Sequence, residues 1–371
     1  MASLSTQRAR LSYLNTQSLI IPLTSTSLIQ QSLSNRRQHL RYSSGKSHTR
    51  SPTTAQHNEK RIPSTSSTSS TPLANDVNPP PSTLPADLEL PESLPPSAGL
   101  ADKGKWLFAT GRAYVSFYKT GLKNVISNYR TSLPIRRQLG VPAHLPTSLP
   151  PQIFLEKSKN SNSEVQRSRS TFQLLHRAAF DVRRLIPFSL ILIVFGELTP
   201  FLILAFGTAV VPYTCRIPRQ LAKSRAQATD RKRRALSAHS IAAKGSSTPP
   251  ELGSKEELGI LANFAGRKFA KEAQPEEILR ACAVFGLAKT HSRPSFLVNS
   301  VYRPRLRKFA EYLELDDKLI RDCGGVSAMQ RTEVRVAVDE RGGFGLSRGI
   351  EGPEAERTER RWLEQWLKRS G

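Results

Sequence analysis

The chain has 371 residues and a formal net charge of +25, which by itself admits a nucleic-acid-binding protein. Residues 251–371 contain 22 basic residues (Lys and Arg) and 19 acidic residues (Asp and Glu), a net charge of +3. Residues 1–250 therefore contain the remaining 33 basic and 11 acidic residues, a net charge of +22. This distribution argues against a basic nucleic-acid-binding domain and favours targeting and contact with anionic lipid. Three widely spaced cysteines, Cys215, Cys282 and Cys323, argue against a disulfide framework and a structural zinc site.

The first part of the chain reads as a mitochondrial transit peptide. No acidic residue precedes Glu59, and arginines stand among many Ser and Thr residues, a composition typical of mitochondrial leaders. The run Leu40–Ser44 resembles a processing site, so we predict a leader over residues 1–42; a disordered basic tail is the alternative. Residues 43–100 are rich in Ser, Thr and Pro and are predicted to be a disordered linker.

Residues 101–184 are predicted to be a helical segment that precedes the membrane. Between Trp106 and Tyr129, apolar residues recur at close to helical spacing, and Pro134 is expected to end this helix. The recurring positions are Trp106, Ala109, Ala113, Phe117 and Val125. A second helix is expected over Ser170–Arg184, because its apolar residues share one face.

The run of 27 residues from Leu185 to Val211 has Glu197 as its only ionisable residue. A helix of this length is about 40 Å long, which exceeds the ~30 Å hydrocarbon core of a bilayer. We therefore predict a single transmembrane helix over 185–211, with Pro187 and Pro200 near Glu197. This acid is a candidate site of proton or cation exchange; alternatively, it stays protonated and hydrogen-bonds another copy in a homo-oligomer.

Residues 212–250 are predicted to be a basic juxtamembrane segment and a linker. The candidates for contact with lipid headgroups are Arg231, Lys232, Arg233 and Arg234. A solvated helix face is the alternative for this cluster.

Residues 251–371 are predicted to be an all-helical domain, because no stretch shows the alternation of a strand. Pro275, followed by two glutamates, suits the first turn of a helix. Asp316 and Asp317 are expected to open another helix. The predicted fold class is therefore all-α: one transmembrane helix and a C-terminal helical domain, preceded by a disordered leader.

Several short motifs, in the same order and spacing over residues 105–371, resemble the Letm family of mitochondrial inner-membrane proteins. These motifs include Arg184–Phe188, Phe195–Leu198, Ser292–Pro294, Leu315–Ile320, Glu333–Arg335 and Leu363–Leu367. The chain has no EF-hand calcium loop and no leucine zipper, so it resembles a compact member that keeps the ribosome-binding domain.

The resemblance implies a single-pass protein of the mitochondrial inner membrane with its C-terminal domain in the matrix. That domain would bind mitochondrial ribosomes, through protein and rRNA, and support both membrane insertion of translated proteins and ion homeostasis. Basic side chains suit rRNA phosphates. The expected contacts are Arg293, Arg303, Arg305, Arg307, Lys308 and Arg341, and a solvated helix face is again the alternative.

Two other functions stay open at this point. One is a component or regulator of potassium/proton exchange, and the other is a SAP-like nucleic-acid-binding hairpin over 327–367. Arrangements typical of catalysis do not stand out, so we expect no enzyme activity, no catalytic residue, no metal site and no cofactor. The expected partners are the mitochondrial ribosome, inner-membrane lipids and other copies of the chain.

Overall fold

The computed structural model describes residues 72–95, 97, 99–144, 147–157, 167–195, 211–245 and 248–370. Every regular element within these ranges is helical, which confirms the all-α class. The helices are α1 (Pro72–Val77), α2 (Leu100–Gln138), α3 (Pro151–Lys157), α4 (Arg169–Phe195), α5 (Pro218–Lys244), α6 (Lys255–Phe264), α7 (Arg267–Glu272), α8 (Pro275–Val284), α9 (Arg303–Asp322), α10 (Arg331–Glu340) and α11 (Gly352–Arg369). Short helical turns lie at Pro81–Thr83, Tyr213–Cys215, Ser295–Leu297, Val298–Tyr302 and Val326–Ala328.

Several helix ends follow from local sequence. The Ser254 hydroxyl accepts a hydrogen bond from the backbone N–H of Glu257 at 3.1 Å and so caps α6. α8 begins at Pro275 with acidic residues in its first turn, as predicted. α5 ends at Lys244, and the next residue, Gly245, has a φ of +68° in the left-handed region that favours glycine.

The predicted end of α2 at Pro134 is wrong, because the helix continues to Gln138. A proline inside a helix costs about 3 kcal/mol, so contacts elsewhere must offset it. Arg136 is buried and donates hydrogen bonds to the carbonyls of Pro142 and Thr147, both at 3.0 Å. These contacts hold the last turn of α2 against the loop that follows it.

α2 and α4 form an antiparallel pair. Tyr118 and Leu122 of α2 pack around Phe188 near the end of α4. Leu139, just after α2, instead joins the main core together with Phe172 from the start of α4. Elsewhere in the main core α5 packs on α8, α7 on α9 and α10 on α11.

Residues 72–84 pack on the main core, although they belong to the segment predicted to be disordered. Val77 is fully buried. The Asn78 side chain donates to the carbonyl of Ala328 at 2.9 Å and accepts from the backbone N–H of Gln330 at 2.7 Å. Distant partners thus order a polar segment whose composition predicts disorder. Most of the rest of that segment and the predicted leader lie outside the described residues.

The structure does not bear out the predicted transmembrane helix over 185–211. Its first residues are the end of α4, which passes through Pro187 without a break and whose first half is buried in the main core. Residues 196–210, with Glu197 and Pro200, lie outside the described residues. None of the described helices is both long enough and apolar enough to cross a bilayer.

Buried ion pairs join α4 to α9 and α10. The Nε atom of Arg169 donates to Asp316 at 2.8 Å, and its Nη1 atom donates to Glu333 at 3.2 Å. Arg177, two turns along α4, donates to both carboxylate oxygens of Glu333 at 2.7 and 2.9 Å. Arg169, Asp316 and Glu333 are each at most 1% exposed.

Arg341, directly after α10, completes this network. Its guanidinium donates to Asp317 and to Asp316, in each case at 2.8 Å, and to the carbonyl of Ala337 at 2.9 Å. The indole N–H of Trp366 donates to the other carboxylate oxygen of Asp317 at 2.9 Å. The prediction that these two aspartates open a helix is therefore wrong. Both lie inside α9, where they accept hydrogen bonds.

Two carboxylates of the network, Asp316 and Glu333, stay ionised although they are buried. Burial raises the pKa of Asp316, but Arg169 and Arg341 outweigh it and hold that pKa below its ordinary value. Arg177 and Arg169 likewise lower the pKa of Glu333 against the effect of burial. The loss of one partner would leave an uncompensated charge inside the protein.

Arg341→Met is expected to lower the free energy of unfolding by about 3–5 kcal/mol, because it leaves two buried carboxylates without their shared partner. Arg331→Met is the matched control: the Arg331 side chain is 48% exposed and lies 3.9 Å from Glu356. Its effect should stay below about 1 kcal/mol. Urea denaturation measures both variants, and equally small effects would contradict the importance of the network.

Candidate functional site

The basic residues predicted to contact ribosomes do not form one common surface. Arg303 donates to three carbonyls at the end of α7, at 2.7–3.2 Å, and so ties α7 to α9. Arg341 is fully buried in the ion-pair network and is wrong as a surface contact. The residues of this set that are exposed are Arg293, Arg305, Arg307 and Lys308.

The four consecutive basic residues of α5 also separate. Lys232 is 1% exposed, and its ammonium lies 2.8 Å from Glu257, so its prediction as a lipid contact is wrong. Arg233 and Arg234 are exposed, and Arg231 is half-buried. A helix turns by about 100° per residue, so neighbours in sequence point in different directions.

Large apolar side chains are exposed at one end of the α2/α4 pair. They are spaced i, i+7, i+8, i+15 on α2 and i, i+4, i+7, i+8 on α4, so that each helix presents one apolar stripe. We call these residues the outer end: Leu100, Leu107, Phe108 and Val115 of α2, with Ile186, Leu190, Ile193 and Val194 of α4, each 63–88% exposed. Single exposed apolar residues are ordinary, but a set at one end of a fold marks an interaction surface.

Charged residues of both signs border the outer end. α2 contains eight basic residues and a single acidic residue, Asp102. The basic residues of its first half, Lys103, Lys105, Arg112 and Lys119, are exposed. The indole N–H of Trp106 donates to the carbonyl of Glu92 at 2.8 Å, so the neighbouring segment 85–95 brings three acidic residues beside the same helix.

A small second core lies beneath the outer end. Phe188, Val211 and Cys215, each at most 2% exposed, pack together between α4 and the turn before α5. Asp181 accepts a hydrogen bond from the backbone N–H of Tyr213 at 2.6 Å, and burial raises its pKa in spite of this bond. These contacts fix the turn after residue 210 against the α2/α4 pair.

The described residues do not offer an obvious catalytic centre. They contain no group of three or more His, Cys, Asp or Glu side chains placed to bind a metal ion. Cys215 and Cys282 are buried thiols, and burial raises the pKa of each to about 12. Thiols of this kind are poor nucleophiles at neutral pH.

Sequence reasoning missed the apolar stripe of α2. It identified the face that contains Phe117 and Val125, both buried in the structure, and left Leu107 and Phe108 unassigned. A signal was present, because a helix with a second apolar stripe must bury it elsewhere or present it to a partner.

Comparison with known families points away from the resemblance drawn from the short motifs. Residues 104–275 match a protein family described as the pentamidine resistance factor domain. The match covers slightly less than half of the chain and runs from α2 to the first residue of α8. This family is of a mitochondrial type, which agrees with the mitochondrial part of the expected location. Comparisons with curated proteins and with solved structures gave no significant match.

The Letm assignment is therefore wrong. Most of its motifs lie beyond residue 275, and Leu315–Ile320 contains the buried aspartates of the ion-pair network. Ribosome binding drew on that assignment and has no remaining support. The comparisons do not support cation/proton exchange either, and its candidate residue, Glu197, lies outside the described residues. The SAP-like interpretation of 327–367 is not supported either, since Arg341 in its turn is buried.

Gly121→Ala is expected to loosen the base of the outer end. A Cβ atom at Gly121 would lie 2.8 Å from the Sγ atom of Cys215 and 2.9 Å from the carbonyl oxygen of Thr214. Such a clash typically costs about 1–3 kcal/mol. Gly111 has no atom within 4 Å of its Cβ position, so Gly111→Ala in the same helix should be stabilising by about 0.5–1 kcal/mol. Thermal unfolding measures both, and the same sign of change for the two variants would refute the close contact.

Proposed function

We propose that the protein is a non-catalytic, membrane-associated helical scaffold of mitochondria that docks by its outer end on the anionic surface of the inner membrane. The single observation that carries this proposal is the pair of exposed apolar stripes on α2 and α4. A bilayer is preferred over a protein as the partner of the outer end, because residues 196–210, which follow α4 in sequence, are also mostly apolar. The predicted leader over residues 1–42 supports import into mitochondria.

The outer end has enough apolar surface for stable docking. Full burial of a large apolar side chain contributes about 1.5–3 kcal/mol, so eight side chains at half burial contribute about 6–12 kcal/mol. A single myristoyl chain, with a binding constant of about 10⁴ M⁻¹, gives only marginal membrane binding. The basic residues of the first half of α2 add attraction to anionic lipid, up to about 1 kcal/mol each near the surface, and the acidic residues beside them offset part of it.

The family match supports this location of the site, since residues 104–275 contain the whole outer end except Leu100. The family is named for resistance to pentamidine. A role in the response to that drug is part of the proposal, and the drug sensitivity of a deletion strain tests it.

Vesicle flotation tests docking directly. The full chain should float with phosphatidylcholine vesicles that contain cardiolipin, and less with phosphatidylcholine alone. Leu107→Gln combined with Phe108→Gln should weaken binding by about 10- to 100-fold, because two apolar anchors are lost.

The matched control is Ile126→Gln, since Ile126 is 44% exposed on the same helix but lies outside the outer end. This variant should float like the wild type. Equal flotation of all variants would contradict the proposal. The proposal would also be contradicted if an outer-end variant bound vesicles normally but changed its mass in solution. That result would mean that a second copy of the chain, and not the membrane, covers the outer end.

A further inference from the structure

A cavity of about 250 Å³ lies between α5 and the loop that follows α8. Its polar lining consists of Arg231, Arg234, Lys289, Thr290, His291 and Ser292. Three of these side chains are basic, and none of the described residues that line the cavity is acidic. The cavity is therefore suited to an anion.

Arg231 has an unused donor. Its Nε atom is buried and has no hydrogen-bond partner among the described residues. Burial, and after it the charge of Arg234, lower the pKa of Arg231. Buried guanidinium N–H groups normally have an acceptor, and an anion in the cavity would supply one.

Contacts within the fold offset only part of this positive charge. A Cβ atom at Gly286 would lie 3.8 Å from an Nη atom of Arg231, so the last turn of α8 is near this guanidinium. The C-terminal end of a helix is equivalent to about −0.5 elementary charge. Arg234 donates to the backbone carbonyl of Asp230 at 3.2 Å, which orients its guanidinium without neutralising it.

We propose that this cavity binds a phosphate group, with Arg231 and Arg234 as the principal donors. Guanidinium groups present paired N–H donors that match phosphate oxygens. The hydroxyl group of Ser292 and the ammonium of Lys289 complete the set of donors. The phosphate belongs either to a soluble compound or to a phospholipid headgroup. This site is separate from the outer end, and its phosphate binding does not require docking by the outer end.

Calorimetric titration of the full chain with inorganic phosphate tests the site. The wild type should bind, and Arg231→Gln should weaken binding by about tenfold or more, because a charged donor pair is lost. Arg233→Gln removes the same charge from an exposed position of the same helix and should bind like the wild type. If Arg231→Gln fails to fold, Lys289→Gln in the loop replaces it and should also weaken binding.

Vesicles of phosphatidylcholine with and without phosphatidic acid distinguish the two sources. If the headgroup is the ligand, Arg231→Gln weakens binding to phosphatidic acid vesicles and inorganic phosphate competes. If the ligand is soluble, vesicle binding is unchanged and only the phosphate titration responds. The proposal is overturned if phosphate does not bind, or if Arg231→Gln and Arg233→Gln have the same effect in both assays.

Discussion

The buried ion-pair network between α4, α9 and α10 is the interaction on which the rest of the fold depends. Arg169 and Arg177 place two turns of α4 against carboxylates of two other helices. Arg341 closes the network through Asp316 and Asp317. Ion pairs of this kind need not add more stability than apolar residues, but they require one arrangement, because any other leaves charges unpaired.

This arrangement sets the direction of α4 and with it the position of the outer end. The first turns of α4 are held in the network, Asp181 ties its middle to the turn before α5, and Phe188 packs in the second core. Beyond these contacts α4 and the start of α2 leave the main core with their apolar stripes exposed. The contacts of α4 with the rest of the fold thus hold the outer end in one position, as the proposed membrane docking requires.

Local sequence predicts the helical class and helix starts such as Pro275, because caps and periodicity are short-range properties. It cannot predict which charges are buried. Arg341 and Arg307 look alike in sequence, yet one is fully buried and the other is exposed. Arg169 and Asp316 are 147 positions apart, and no local pattern reveals such a pair. The prediction of Arg341 as a ribosome contact is wrong for this reason, since it treated a buried, structural charge as a surface contact.

The most direct test of membrane docking uses Trp106, beside Leu107 and Phe108 at the outer end. The other two tryptophans of the chain, Trp362 and Trp366, are at most 3% exposed in the main core. Brominated lipids quench a tryptophan only at short range, so cardiolipin vesicles that contain them should quench Trp106 alone. The account predicts strong quenching in the wild type that disappears in Trp106→Phe. Two results would contradict docking by the outer end: vesicle-bound wild-type protein whose tryptophan emission is not quenched, or quenching in Trp106→Phe that equals that of the wild type.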